Sequence, residues 1–294
     1  MKYFHSLLIC AVLFLAACRS SSSNTQTPST LEDDRLNETS GIAASVSHPG
    51  FYYVHNDSGD TSRFFIISPD GKTKGAIYYP GDKSLAALGV RDCEDIAVGT
   101  GPETGASYVY IGDIGDNNAA RKYITIYRIK EPALPAAGQP ANTTAEPLYL
   151  KYPDGARDAE TLMTDSIDKL LYIVSKREDT VGIYTAPLAF HANDTVVLKK
   201  QASLYVEGNG EGKWITAGDI SRNGRQVLLK SYTKVYYWKR SSNEPIWQTL
   251  QHSPAILPYT IEPQGEAIGF TLDGTGYYTI SEGTHAQVYY YKVP

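Results

Sequence analysis

The chain has 294 residues, of which 42% are hydrophobic and 20% are charged. This composition supports one large domain or two small ones and excludes an intrinsically disordered chain. With 25 Gly, 16 Pro and 23 Tyr but only 2 Met, the sequence favours turns and half-buried strands and excludes a helical bundle. The 27 basic and 32 acidic residues give a net charge of −5, so the chain lacks the basic surface that binds phosphate backbones. We therefore expect no nucleic-acid partner.

The N-terminus carries the pattern of an export signal. Lys2 precedes an apolar run at residues 7–14, which leads into Leu15-Ala16-Ala17-Cys18, and a short hydrophobic region ending at small residues is typical of signal peptides. The last four residues resemble the lipobox of bacterial lipoproteins, which implies cleavage before Cys18 and acylation of its sulfur. An ordinary signal peptide that is cut after Ala17 is the alternative.

We therefore predict three parts of the chain: a lipoprotein signal peptide at residues 1–17, a Ser/Thr-rich tether at 18–30, and a single domain at 31–294. The resemblance implies an exported protein that is lipid-anchored to a bacterial membrane, in the outer membrane or on a periplasmic or cell-surface face. Only the lipid on Cys18 would then touch the membrane.

Cysteine usage excludes an internal disulfide in the predicted domain. Cys10 lies in the signal peptide and Cys18 at the lipidation position, so Cys93 is the one cysteine left for the fold. Three carboxylates surround it in Arg91-Asp92-Cys93-Glu94-Asp95, and they disfavour the reactive thiolate. We expect a packed, unreactive thiol.

From about residue 31 onward, the sequence breaks into short apolar or alternating runs that are separated by turn signals, as in all-β proteins. One unit recurs five times: an acidic residue, a short apolar run, a turn, and a second run rich in Tyr, Val and Ile. Its acidic starts are Glu38, Glu94, Glu160, Asp219 and Glu266. The intervals between these starts are 56, 66, 59 and 47 residues, and such a period suits four-stranded propeller blades with variable loops.

We therefore predict an all-β fold, a β-propeller of four-stranded blades with five blades favoured. Six blades are the alternative, because residues 133–153 or 199–214 have room for a degenerate unit. The last unit has only one further strand, at residues 288–293, so the segment 31–36 is expected to supply the missing outer strand and close the ring. A closed ring removes the sheet edges that promote aggregation. A pair of β-sandwiches is the third alternative, although it would not explain five matching starts.

This geometry would gather the acidic starts at one end of the ring. In a blade, the first strand lines the channel and the second runs antiparallel to it, so the start of one and the end of the other lie together. Clustered carboxylates repel one another unless they are protonated or balanced by a cation. A hard cation such as Ca²⁺ takes six to eight oxygen ligands. The predicted metal ligands are Glu38, Asp57, Glu94, Asp95, Asp113, Glu160, Asp219 and Glu266.

A structural role is the alternative for these acids, which could bind backbone N–H groups or arginines of neighbouring blades. Arg91 and Arg157 each open an Arg-Asp-x-Glu motif and could pair with a carboxylate or hold an anionic ligand. The loop at residues 112–118 is either a solvated Asx-turn or a ligand contact. His55 is either a surface histidine or a general base. The residues predicted to bind a ligand are Arg91, Arg157, His55, Asn56, Asp116, Asn117, Lys176, Arg177 and Glu282.

Several stretches of the chain resemble exported bacterial β-propeller lipoproteins of uncharacterised function. They are residues 94–97, 111–117, 152–160 and 264–268. More loosely, the acidic residues entering a channel are similar to those of calcium-dependent gluconolactonase and phytase-like propellers, and a five-bladed ring is similar to glycosidases with channel carboxylates. These likenesses imply hydrolysis of an ester, lactone, phosphoester or glycoside at an axial metal.

Two functions remain open from the sequence. The first is a monomeric cell-envelope lipoprotein whose metal-bound acidic mouth binds a small molecule, a glycan or an envelope protein. The second is a metal-assisted hydrolase in which Asp113 acts as base and Arg91 or Arg157 holds an anionic substrate. The Gly-x-Ser-x-Gly, His-Glu-x-x-His and Walker motifs are absent from the sequence, so the common hydrolase templates do not decide between them.

Overall fold

The structure is a computed structural model, and it describes residues 27–85, 88–136 and 139–294. Over these residues the chain forms five small, mainly antiparallel sheets in a ring, which is a five-bladed β-propeller and confirms the predicted fold. The predicted signal peptide, the lipidation position Cys18 and residues 19–26 of the tether lie outside the described residues. Within the described ranges, no helix is both long and apolar enough to cross a membrane.

The strands follow the chain blade by blade, after an initial β1 (Ser29–Thr30). Blade 1 comprises β2 (Thr39–Ala44), β3 (Tyr52–Asn56), β4 (Arg63–Ile67) and β5 (Thr73–Tyr78), followed by a 3₁₀ turn at Lys83–Leu85. Blade 2 comprises β6 (Cys93–Thr100), β7 (Ser107–Asp113), β8 (Ile124–Lys130) and, after the two-residue β9 (Ala141–Asn142), β10 (Glu146–Lys151).

The second half of the ring repeats this order. Blade 3 comprises β11 (Ala159–Asp165), β12 (Leu170–Ser175), β13 (Thr180–Pro187) and, after β14 (Thr195–Val197), β15 (Lys199–Tyr205). A 3₁₀ turn at Gly210–Lys213 leads into blade 4, which comprises β16 (Ile215–Ile220), β17 (Gln226–Ser231), β18 (Val235–Lys239), the short helix α1 (Ile246–Thr249) and β19 (Ala255–Leu257). Blade 5 comprises β20 (Gly265–Phe270), β21 (Gly276–Ser281) and β22 (Gln287–Lys292).

The segments that could have held a sixth blade carry outer strands instead. Residues 133–153 contain β10 and the short β9, which pairs in parallel with β5 on the edge of blade 1. Residues 199–214 contain β15, while the preceding β14 pairs in parallel with β10 on the edge of blade 2. The units therefore lend short strands to the blade before them, and the ring has five blades.

The ring closes between the two ends of the described chain. Strand β1 pairs antiparallel with β22, Ser29 opposite Val288 and Thr30 opposite Gln287, and so completes blade 5. The closing strand thus precedes the predicted segment 31–36 and takes the last two residues of the predicted tether. The apolar residues of the segment 31–36 do not form a strand; Leu31 and Leu36 are instead fully buried in the core between blades 5 and 1.

Five apolar clusters fill the five interfaces between neighbouring blades. The inner strands β2, β6, β11, β16 and β20 contact one another in turn, and β20 returns to β2. Aliphatic side chains make up most of these cores, and buried aromatic rings supply the largest ones; Tyr53, Tyr110, Tyr172 and Tyr277 are among the largest fully buried side chains. Cys93 is also buried, and burial raises the pKa of its thiol well above the usual value, as expected for an unreactive thiol.

Candidate functional site

Every inner strand carries a β-bulge at its second residue, at the same end of the ring. The register slips by one residue between Thr39 and Gly41 in blade 1, and the other four inner strands slip at the equivalent place. A bulge leaves one residue unpaired and redirects its side chain. The five bulged residues are Ser40, Glu94, Glu160, Thr216 and Glu266, and all are buried.

The bulges correct two of the predicted repeat starts. Glu38 lies two residues before the bulge of blade 1, and Asp219 lies near the far end of β16, three residues after the bulge. The equivalent positions are held by Ser40, which donates a hydrogen bond to the carbonyl of Glu94 at 2.8 Å, and by Thr216, which donates to the carbonyl of Gly265 at 3.2 Å. In these two blades a hydroxyl linking adjacent blades replaces the acid.

A second set of side chains joins the bulged residues at this end of the ring, which is the mouth. In all five blades the last residue of the second strand pairs with the first residue of the inner strand. In blades 1, 3, 4 and 5, the residue that directly follows the second strand places its side chain at the mouth. These residues are Asp57, Lys176, Tyr232 and Glu282. The antiparallel hairpin therefore brings together residues that lie far apart in the sequence, as predicted.

Five carboxylates from blades 1, 2 and 5 form the acidic cluster: Asp57, Asp92, Glu94, Glu266 and Glu282. Oxygen atoms of Asp57, Asp92 and Glu94 lie within 4.8 Å of one another, and so do oxygen atoms of Asp57, Glu266 and Glu282. Asp57 belongs to both triads and joins them. Gly115 leaves room for the first triad, because a Cβ there would overlap the side chains of Glu94 and Asp92.

The acidic cluster is short of positive charge. Lys176 contacts Glu160, and its Nζ lies 3.7 Å from Glu266. Among the described residues, no Lys or Arg forms an ion pair with the other four members of the cluster. Glu94 is only 2% exposed, and its Oε2 has no hydrogen-bond partner. A buried carboxylate oxygen without a partner is costly, so this cluster needs either protons or a cation.

Burial and mutual repulsion raise the pKa values within the acidic cluster. Burial, followed by the nearby charge of Asp92, raises the pKa of Asp57 to about 7. Burial, together with a hydrogen bond to Glu266 and its charge, raises the pKa of Glu282 to about 9. Burial and the charges of Asp57 and Asp92 raise the pKa of Glu94 well above its usual value. Without a cation, the cluster therefore retains protons at neutral pH.

The blade 3 side of the mouth, in contrast, is neutralised. Arg177 Nε lies 2.5 Å from Asp158, and the guanidinium also contacts Asn117. Its centre lies 4.5 Å from a ring centroid of Trp214, within cation–π range. Lys176 is likewise paired with Glu160. The predicted ligand-binding residues Lys176, Arg177 and Asn117 thus lie at the mouth, but they are bound to one another or to acids.

Five of the eight predicted metal ligands lie outside the acidic cluster, and two of them, Asp95 and Asp219, bind backbone N–H groups instead. The carboxylate of Asp95 accepts hydrogen bonds from the N–H groups of Ile96 at 2.8 Å and Leu162 at 2.9 Å. Asp219 accepts from the N–H of Phe270 at 2.8 Å. Leu162 and Phe270 belong to the inner strands of the next blades, so these acids have the inter-blade role that was the structural alternative.

The acidic side chains at the end of β7 and in the loop after it are bound to other groups of the protein. Asp113 pairs with Arg121 at 2.8 Å and accepts the N–H groups of Arg91 and Asp92. Asp116 accepts two N–H groups within the loop, from residues 120 and 121, at 2.9 and 2.8 Å. Asp116 thus binds within its own turn, and its N–H donates to Asp158 at 2.8 Å, whereas Asp113 ties the end of β7 to the segment before β6. The base of the rival hydrolase hypothesis is therefore already held by a salt bridge.

The remaining predicted residues have varied surroundings. His55 is buried rather than at the surface, and burial lowers its pKa to about 4. Asn56 donates to the carbonyl of Arg35 at 2.6 Å and to Asp60 at 2.9 Å. Glu38 is exposed at the rim of the mouth, outside both triads.

The two Arg-Asp-x-Glu motifs differ at their arginines. Arg157 pairs with Glu178 at 2.5 Å and Asp154 at 3.0 Å, both in its own blade. Arg91 is exposed, and no ion pair is found for it among the described residues. The glutamates of both motifs are bulged residues, and the aspartates lie two positions earlier, at the rim.

Asp92 was not among the predicted site residues. Its signal was the Arg-Asp-x-Glu motif itself, which placed Asp92 beside Glu94 without indicating that both side chains face one point. Trp214 was not predicted as a site residue either. At the mouth, the Tyr232 hydroxyl donates to Glu266 and lies 3.3 Å from Lys176 Nζ.

Comparisons with known proteins add no identity to this geometry. No protein-family model matches the chain, and no curated protein matches it.

Proposed function

We propose that the acidic cluster binds a divalent cation, and that Ca²⁺ is its natural occupant. The observation that carries the proposal is the buried Glu94 Oε2 without a partner, in a group of five carboxylates that lacks a matching positive charge. One ion would supply the missing charge to blades 1, 2 and 5 together. It would therefore link blade 1 to both of its neighbours, blades 2 and 5.

The chemistry of the cluster favours Ca²⁺ over transition metals. All five side chains offer carboxylate oxygens, and neither His nor Cys is a member of the two triads. Hard cations prefer oxygen ligands, and Ca²⁺ accepts six to eight of them in irregular arrangements that water can complete. Zn²⁺ sites, in contrast, are usually built from His and Cys.

We further propose that the ion-bound mouth is a binding surface of a cell-envelope lipoprotein. The export and lipid anchor rest on the lipobox resemblance at Cys18. A cation that is coordinated partly by water can exchange that water for oxygens of a glycan, a small molecule or an envelope protein. The half-buried Trp214 at the rim offers an aromatic surface beside such a ligand.

Thermal unfolding with excess chelator and then with added Ca²⁺ tests the proposal on the chain from residue 19 onward. An ion present at about 100 times its dissociation constant adds about 2.7 kcal/mol to the free energy of unfolding, so the midpoint should rise clearly. Glu94→Gln keeps the size of the side chain but removes the unpartnered charge, and it should reduce the Ca²⁺-induced rise. An unchanged midpoint in the unmodified chain would count against a specific ion.

A matched control separates loss of the ion from loss of stability. Glu131 is another partly buried carboxylate, but it accepts hydrogen bonds from Val46 and Ser47 N–H groups and from nearby hydroxyls. Glu131→Gln should lower the midpoint with and without Ca²⁺ by a similar amount. If it abolished the Ca²⁺ response as Glu94→Gln does, the response would not report on the acidic cluster.

A further inference from the structure

A second candidate site lies on the face opposite the acidic mouth. A cavity of about 660 Å³ opens between blades 2 and 3, where the inner strands end and their hairpins begin. Its walls are the β6–β7 hairpin, residues 188–192, and the side chains of Arg128, Lys169 and Arg222. Its volume falls within the range of small-molecule sites.

The inner wall of this cavity is apolar and rigid. Leu188 and Phe190 are buried there, and the Arg128 guanidinium stacks on the Phe190 ring, 3.9 Å from its centroid. Arg128 also donates to Glu146 and to the carbonyls of Leu188 and Phe190. These contacts neutralise Arg128 and fix the wall, so it is shaped before any ligand arrives.

Two cations at the cavity have no acidic partner. Within the described ranges, neither Lys169 nor Arg222 forms an ion pair, and the nearest partner found for Lys169 Nζ is Thr100 Oγ1 at 3.5 Å. The two acids that line the cavity are both paired, Glu103 with Lys130 at 2.6 Å and Glu146 with Arg128 at 2.5 Å. The unbalanced charge here is therefore positive, on a chain whose net charge is −5.

The backbone at Lys169 supplies an independent observation. Each of the five hairpins between the first and second strands contains one residue with positive φ. In four blades that residue is glycine, at Gly50, Gly105, Gly224 and Gly274, but in blade 3 it is Lys169, with φ 57°. A side chain is strained in this conformation, and such strain is concentrated at functional positions. The strained side chain is the one that lines the cavity.

We propose that this cavity binds a small amphiphilic carboxylate. Lys169 and Arg222 hold the carboxylate head by charge-assisted hydrogen bonds, and the apolar body lies against the wall formed by Leu188 and Phe190. The lysine at the left-handed position is then explained, because glycine would relieve the strain but remove half of the head-group site.

Calorimetric titration of the chain from residue 19 onward with decanoate tests the proposal, with decylammonium and decanol as probes of equal chain length. Decanoate should bind at least about tenfold more tightly than either probe, since loss of a charged hydrogen-bond partner costs that much or more. Lys169→Gly and Arg222→Ala should each weaken decanoate binding about tenfold. Arg225→Ala, on the same hairpin as Arg222 but outside the cavity lining, should leave it unchanged.

Lys169→Gly also guards against a trivial loss of folding. Because it relieves a left-handed side chain, it should raise the midpoint of thermal unfolding while it weakens decanoate binding. Decanoate binding that survives both Lys169→Gly and Arg222→Ala, equal binding of decylammonium, or no decanoate binding at millimolar concentration would each overturn the proposal.

Discussion

Binding of Ca²⁺ at the acidic cluster should release protons. The pKa of Asp57 is raised to about 7 and that of Glu282 to about 9, in each case first by burial. Burial also raises the pKa of Glu94 well above its usual value. A metal ion binds deprotonated carboxylates, so it displaces whatever protons the cluster holds. Between pH 6 and pH 8 we expect the release of about one to two protons per ion.

The affinity should therefore depend steeply on pH. For each proton released, the dissociation constant of Ca²⁺ falls about tenfold for each unit by which the pH rises, which is a gain of about 1.4 kcal/mol in binding free energy. Stability in chelator should run the other way. A carboxyl group with a raised pKa binds more protons in the folded state than in the unfolded state, so the free energy of unfolding falls as pH rises above the unfolded pKa of about 4 and towards the folded pKa. Saturating Ca²⁺ should abolish most of this decline.

Calorimetric titration of Ca²⁺ at pH 6, 7 and 8 measures the affinity, and repeating it in buffers of different ionisation enthalpy counts the protons. Glu282→Gln removes one of the protonated groups and should lower the count. Affinity that is independent of pH, with no proton release in any buffer, would refute the argument, because it would mean that the carboxylates are already ionised or that Ca²⁺ binds elsewhere.

Three further predictions concern the ring itself. A chain that begins after Thr30 lacks β1, and with it the pairing to β22 and the Ser29 hydrogen bond to Pro69. Its free energy of unfolding in urea should be lower by about 1–3 kcal/mol than that of a chain beginning at residue 27. Equal stability would mean that β1 does not close the ring. Glu131→Gln should lower the free energy of unfolding by about 2–3 kcal/mol, because several charge-assisted hydrogen bonds weaken. Despite burial, the hydrogen bonds of Glu131 hold its pKa below the usual value. The difference in stability between the variant and the unmodified chain should therefore shrink as the pH falls through that folded pKa. Lys230 is fully buried, with its Nζ 3.9 Å from Glu262. Lys230→Met leaves that acid without its cation and should lower the free energy of unfolding by about 3–5 kcal/mol. Adding Glu262→Gln should restore much of this stability, and additive losses in the double variant would contradict the pairing.

The acidic cluster and the cavity are two candidate sites of opposite charge at opposite ends of one ring. The mouth lacks positive charge at Glu94 and its neighbours, and the opposite face lacks negative charge at Lys169 and Arg222. A propeller can support both, because strand ends and hairpins from several blades converge at each end of the channel. Mutations at one end should leave ligand binding at the other unchanged, since separate blades and hairpins form the two sites.

The sequence alone determined the architecture of the described domain. Alternating apolar strands, turn residues and a unit repeated five times fix a ring of antiparallel blades, because each blade can bury its apolar faces only against its neighbours. The sequence also indicated that hairpins would place Asp57, Glu94, Glu266 and Glu282 at one end. These inferences rest on local periodicity and on chain order, both of which are visible in a single sequence.

Only the tertiary structure decided which acids share a site. An acidic residue near a strand start looks the same in the sequence whether it lies at the bulge, as Glu94 does, before it, as Glu38 does, or deep in the strand, as Asp219 does. A shift of one residue in register turns a side chain to the other face of a sheet, and the register here is set by packing between blades. Asp92 belongs to the acidic cluster. Asp95, the residue directly after the cluster member Glu94, instead accepts a hydrogen bond from the N–H of Leu162. Whether an acid joins the acidic cluster or has a structural role was therefore decided by the bulge and by contacts with the neighbouring blade.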